Sequence, residues 1–133
     1  VSPNGLEAAQ VYGLEGPAAL VRAMLDDGAR VVALRLGAEG SLIGAADRPG
    51  LIRLPAVPAP QIVDQTGAGN TYCGGFLAGW LATGDALAAA CYGGAAASFA
   101  LEVTGVLDPS TVSSAERDRR RRWLAAQATV LQA

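Results

Sequence analysis

Gln61-Ile62-Val63-Asp64-Gln65-Thr66-Gly67-Ala68-Gly69-Asn70, running on into Gly74-Gly75-Phe76, is the stretch that decides the reading. A short strand-like entry at residues 61–63 ends in small residues and passes straight into a long apolar helix, expected from about Asn70 to Ala82. Such a helix start leaves several backbone N–H groups without partners, and the helix dipole adds roughly half a positive charge there. Glycine lets the oxygens of an anion come close to those amides. Thr66-Gly67-Ala68-Gly69 is therefore a candidate phosphate cradle, although a plain tight turn would use the same residues.

Working outward, Thr83-Gly84-Asp85 separates this helix from a second, Ala-rich one over about Ala86 to Leu101. Gly105 and Pro109 close that region, and residues 110–133 read as a C-terminal helix, from Ser113 to Ala133. Toward the N-terminus, Pro55, Pro58 and Pro60 mark an extended connector. Before it, Arg30 to Leu36, Ser41 to Ala45 and Leu51 to Leu54 carry the apolar, partly β-branched pattern of strands. Tight turns at Gly37 to Gly40 and Asp47 to Gly50 make these strands an antiparallel meander. Ser2-Pro3-Asn4 is a helix start, Gly13 and Gly16-Pro17 break that helix and begin another, and Asp26-Asp27-Gly28 ends the second. Val1-Ser2-Pro3 reads as the end of a strand that begins earlier, so residues 1–133 are expected to be one α/β piece of a longer domain.

Composition removes whole classes of chemistry. With 51% hydrophobic and 17% charged residues in 133, the chain is neither disordered nor a coiled coil. It contains no His, which excludes a Ser-His-Asp triad, an HExxH zinc site and a histidine base from this chain. All ten basic residues are Arg, so a GK[ST] phosphate loop and Schiff-base chemistry are excluded as well. A net charge of −2 gives no reason to expect nucleic acid. No apolar run reaches membrane-spanning length, and the start lacks the order of a signal peptide. Cys73 and Cys91 stand in no metal-binding spacing, so a reduced, cytoplasmic setting is the expectation.

Two further segments have a chemical and a structural reading each. Asn4 and Glu7 share a face of a first helical turn and can hold water around Mg²⁺, or simply cap the helix. Gly37 and Gly40, at a strand end, can let a nucleotide lie against the backbone, or simply form a hairpin turn. Cys73, Cys91, Phe76, Trp80 and Phe99 read as packing residues, and Tyr72 as packing with a ligand in reach. Arg117 and Arg119 to Arg122 read as a solvated helix face interspersed with Glu116 and Asp118.

In order and spacing the segments resemble the ribokinase-like, or PfkB, carbohydrate kinases. Pro3, Asn4 and Glu7 match a Pro-Asn-x-x-Glu pattern, and Leu36, Gly37 and Gly40 match a Leu-Gly-x-x-Gly turn. Asp64, Thr66, Gly67, Ala68 and Gly69 match the signature Asp-x-Thr-Gly-Ala-Gly-Asp, with Gly74-Gly75-Phe76 behind it. Ala95 to Ala97 and Val103-Thr104-Gly105 match the end of an Ala-rich helix, so the likeness covers Val1 to about Pro109.

The resemblance implies the C-terminal part of a three-layer α/β/α domain that transfers a phosphoryl group from ATP to a sugar or nucleoside hydroxyl. It implies an anion hole at Gly67, Ala68 and Gly69, and Mg²⁺ organised through water by Asn4 and Glu7. Gly37 and Gly40 would form part of the nucleotide wall. Gly94 and Ala95 would lie near adenine, although Gly94 to Ala97 departs from the Ala-Asn-Ala pattern frequent there. Asp64 and Thr66 would adjoin a monovalent cation, K⁺. The sugar pocket, and a lid through which members form homodimers, would belong to an N-terminal half. At the catalytic base the chain departs from the family, because Asn70 stands where the signature has Asp. A carboxamide accepts no proton at neutral pH, although it can orient a hydroxyl. A slow kinase, a kinase using another base, a nucleotide- or sugar-binding pseudokinase and an engineered Asp→Asn change all fit that residue.

Overall fold

The computed structural model describes residues 1–58 and 61–132. Pro60 of the expected connector and Ala133 at the end of the expected last helix lie outside them. The chain opens with residues 1–4 running parallel to β1 (Val31–Arg35): the Ala33 and Arg35 amides donate to the Val1 and Pro3 carbonyls at 2.9 and 3.0 Å. The strand-like start read from the sequence is thus present as a parallel edge. Helix α1 (Gly5–Tyr12) follows at once, capped by Asn4, and ends at Gly13 in the left-handed conformation. Pro17 opens α2 (Pro17–Asp26) at the position where its missing N–H costs nothing.

A short 3₁₀ turn at Gly37–Glu39 joins β1 to β2 (Ser41–Ala45), and β3 (Arg48–Leu54) pairs antiparallel with β2. The third strand begins three residues earlier than expected, because the turn is confined to Ala46-Asp47. Helices α3 (Ala68–Thr83) and α4 (Ala86–Ala100) follow the connector, then α5 (Ser114–Gln127) and β4 (Thr129–Leu131). Two expectations fail here. The C-terminal helix stops at Gln127, and Thr129 to Leu131 turn back to pair with Arg53, Ile52 and Leu51 of β3. Gln61-Ile62-Val63 pairs with no strand among the described residues, and the Val63 amide instead donates to the Leu101 carbonyl at 2.7 Å.

Alternation along the sheet builds two cores. Val32, Leu34, Leu42 and Leu51 face α1 and α2, where Ala8, Leu20, Val21 and Met24 are buried. Ala33, Ile43, Ile52 and Leu54 face the other way, onto Tyr72, Ala90, Cys91 and Leu124 of α3, α4 and α5. The molecule is therefore a three-layer α/β/α arrangement. Glycines set the depth of contact between α3 and α4. A Cβ on Gly75 would lie 2.7 Å from Ala96 Cβ, and one on Gly79 would lie 2.8 Å from the Tyr92 ring. That close packing fixes where the N-terminus of α3 points.

Candidate active site

Three chain ends meet at one edge of the sheet. The parallel pairing places Asn4 beside Arg35, so residues 1–4 and β1 finish together. Helix α1 starts there, and so does α3, because the Arg35 guanidinium touches the first turn of α3: Nη1 lies 2.1 Å from where a Cβ on Gly69 would sit. Carboxyl ends of neighbouring parallel strands, with helix N-termini above them, are where α/β folds bind ligands.

The glycine turn itself is open. Gly67 caps α3 in the left-handed region, with φ at 84°, and nothing lies within 4 Å of a Cβ built there. The Thr71 amide bonds back to the Gly67 carbonyl at 3.0 Å, and the Ala68 amide reaches the Gln65 carbonyl only at 3.4 Å. The amides of Gly69 and Asn70 have no hydrogen-bond partner among the described residues. Asn70 is exposed. Two free donors at a dipole's positive end, beside the open Gly67, suit an anion. Behind the turn, the Thr66 amide donates to Asp64 Oδ1 at 2.8 Å and holds the Asp64 carboxyl below the usual carboxylate range. Tyr72 does not reach the surface: it is buried, donates to Ser41 Oγ at 3.3 Å, and burial pushes its hydroxyl up to about 12.

Other expected residues fall less neatly. Asn4 Oδ1 accepts the Leu6 amide at 2.8 Å, so this side chain acts as a helix cap, and Glu7 is exposed on the first turn of α1. Gly37 is open at φ 60°, but a Cβ on Gly40 would sit 2.0 Å from the Leu54 carbonyl oxygen, so that glycine serves the approach of two backbone segments. Ala95 is buried and turns no surface to a base, whereas Gly94 is partly exposed, and a Cβ on it would meet Leu124 of α5 at 2.8 Å. Trp80 is 37% exposed and lines a cleft of about 640 Å³ with Phe76, Leu77 and Val31, instead of packing in the core. That cleft begins at Ser2 and Cys73 and contains no residue of the glycine turn.

Arg35 went unnoticed in the sequence. Its place in RVVALRL follows the alternation that puts Ala33 and Ile43 on the α3 face, since Arg35 pairs with Ser41. A lone arginine at a strand end otherwise reads as solvent-facing.

Residues 1–112 match the model of the pfkB family of carbohydrate kinases. The chain belongs to that family. It is 32% identical over 79 residues to the ATP-dependent 6-phosphofructokinase of Thermoanaerobacterium thermosaccharolyticum, covering 59% of this chain and 24% of that protein. It is 36% identical over 80 residues to the cytidine kinase of Thermococcus kodakarensis, covering 60% and 28%. The structure of Arabidopsis thaliana ribokinase complexed with ribose and ATP superposes with a TM-score of 0.77 at 25% identity, over 91% of this chain and 40% of that one. The chain thus spans about a quarter of the length of the curated relatives it matches, and about two-fifths of that structure. The three-layer fold is that of the ribokinase-like kinases.

Proposed function

We propose that this chain is the nucleotide-binding part of an enzyme that transfers the terminal phosphoryl group of ATP to a hydroxyl of a sugar or nucleoside. One observation carries the reading: a pfkB-family chain presents the free Gly69 and Asn70 amides behind an open, left-handed Gly67. Gly67, Ala68 and Gly69 form the hole for the phosphoryl group in transit, and charge stabilisation of that kind is the main task in phosphoryl transfer. Gly37 contributes to the wall along which the nucleotide lies. The acceptor oxygen forms the new P–O bond as the bond to the β-phosphate breaks. Asn70 orients the acceptor hydroxyl, whose proton leaves to water or to a phosphoryl oxygen, because the amide takes none.

The donor set fits Mg²⁺ held through its waters and the nucleotide. No group of three or more His, Cys, Asp and Glu side chains gathers among the described residues, and Mg²⁺ commonly keeps several waters beside one or two carboxylates. When bound, the ion would neutralise charge on the phosphates. Glu7, with the Asn4 cap beside it, would hold one of its waters. Asp64, already fixed by Thr66, is the carboxylate available to a monovalent cation.

The test is ADP release by the full-length protein with MgATP and a panel of sugars and nucleosides, native and Asn70→Asp in parallel. Turnover with one acceptor is expected in the native protein. Restoring a carboxylate should raise kcat by about 10²–10⁴, the usual contribution of a general base. Absence of ADP release from both proteins across the panel would overturn the reading.

A further inference from the structure

We infer that Arg35 is a phosphate ligand of this site, supplying positive charge to the phosphoryl group held by the Gly69 and Asn70 amides. The inference rests on the function proposed above and adds a residue to it. The Arg35 side chain is held in place: its Nε donates to the Ser2 carbonyl at 3.1 Å, and its guanidinium lies against Gly69 so closely that a Cβ there would collide with it. Six other arginines, at positions 48, 53, 117, 119, 120 and 121, each have a carboxylate within 4.0 Å. Among the described residues Arg35 has none, and neither Nη1 nor Nη2 has a hydrogen-bond acceptor. Arg22, Arg30 and Arg122, also without a carboxylate, stand exposed in water, whereas Arg35 is partly buried.

Its position favours an anion nearby. A cation at a helix N-terminus meets the positive end of the dipole, the opposite of the favourable arrangement. Here a guanidinium is fixed against the first turn of α3, beside two free amides. A phosphate oxygen in that space would satisfy the amides, the dipole and the guanidinium together. The planar fork of arginine suits two oxygens of one phosphoryl group. Charge supplied this way acts on the transferring group without accepting a proton, so it works with Asn70 in place of a carboxylate.

The experiment compares native, Arg35→Gln and Arg35→Lys full-length proteins. It measures calorimetric binding of MgAMP-PNP and of adenosine, kcat with MgATP, and melting temperature. Arg35→Gln should weaken MgAMP-PNP at least tenfold and lower kcat by about 10²-fold, the usual loss for one charge-stabilising donor. Adenosine affinity should stay unchanged, and Arg35→Lys should fall between. A purely structural role would instead lower adenosine binding and melting temperature together. MgAMP-PNP affinity and kcat unchanged in a folded Arg35→Gln protein would overturn the role of Arg35 alone. A native protein that binds no MgAMP-PNP would remove the proposed function and this inference with it.

Discussion

An alanine at position 69 would place its Cβ 2.1 Å from Arg35 Nη1, so the guanidinium would have to move. Gly69→Ala should displace the guanidinium and reproduce most of the Arg35→Gln defect in MgAMP-PNP binding. In an Arg35→Ala background the same change should add little. Calorimetry on the four proteins should show a coupling of about 0.5–3 kcal/mol, and strict additivity would mean that the contact has no energetic consequence. A different sort of check concerns Cys91, whose thiol burial pushes up to about 11. Ellman's reagent at pH 8 should leave Cys91 unlabelled in the native protein and label it on unfolding. At this scale the sequence was partly legible. The glycine turn announced itself by residue type, because the left-handed backbone at Gly67 disfavours any side chain. Arg35 did not, because its significance lies in what a distant helix brings against it.

The join between α4 and α5 shows what elements do that residue patterns conceal. The arginine run read as a solvated face, yet Arg120 is only 4% exposed. It donates to Glu102 at 2.7 Å, Glu116 at 2.9 Å and Ser98 at 2.9 Å, with its guanidinium carbon 3.9 Å from the Phe99 ring centroid. Arg120→Met should therefore destabilise the fold by about 1–3 kcal/mol in urea unfolding, since it removes the partner of buried Ser98 and of the half-buried Glu102 and Glu116 carboxylates. Glu116 is held down at about 2 by hydrogen bonds from Arg119 and then Arg120. A carboxylate depressed in the folded state stabilises above its unfolded value and loses that contribution as pH falls through its folded value. Helix α5 should accordingly loosen between about pH 4.5 and pH 2, and Glu116→Gln should flatten that part of the melting profile. Most elements were legible because their signals are local: Pro17 and Gly13 at helix ends, and alternation in Ser41 to Ala45. β4 was not, because three residues after an Arg-rich helix become a strand only by pairing with the edge of β3. At residues 61–63 the reverse holds, since β-branched character found no neighbouring strand.

For the molecule as a whole, the two cores make the described residues a layered unit with one conspicuously apolar flank. Leu77 and Leu81 on α3 are 59% and 80% exposed, and Trp80 lines the cleft next to them. Exposed apolar surface of that sort drives association. The 133-residue chain alone should self-associate in sedimentation velocity, and Leu77→Glu with Leu81→Glu should reduce that while leaving its circular dichroism unchanged. Loss of helical signal in the double variant would mean that these side chains already pack. The layer order was readable from the sequence because strand alternation and helix periodicity are short-range. How the edge of the sheet gathers Asn4, Arg35 and Gly69 depends on a parallel pairing across 31 positions, which no local pattern reports. The central claim is that the turn opening α3 takes the phosphates of ATP. Calorimetric titration of the full-length protein with MgAMP-PNP, native against Gly67→Val, tests it most directly. The account predicts binding by the native protein and at least a tenfold loss in the variant, with adenosine affinity retained, because a side chain at φ 84° both strains the turn and covers the amides. Equal MgAMP-PNP affinity in the two proteins would contradict it.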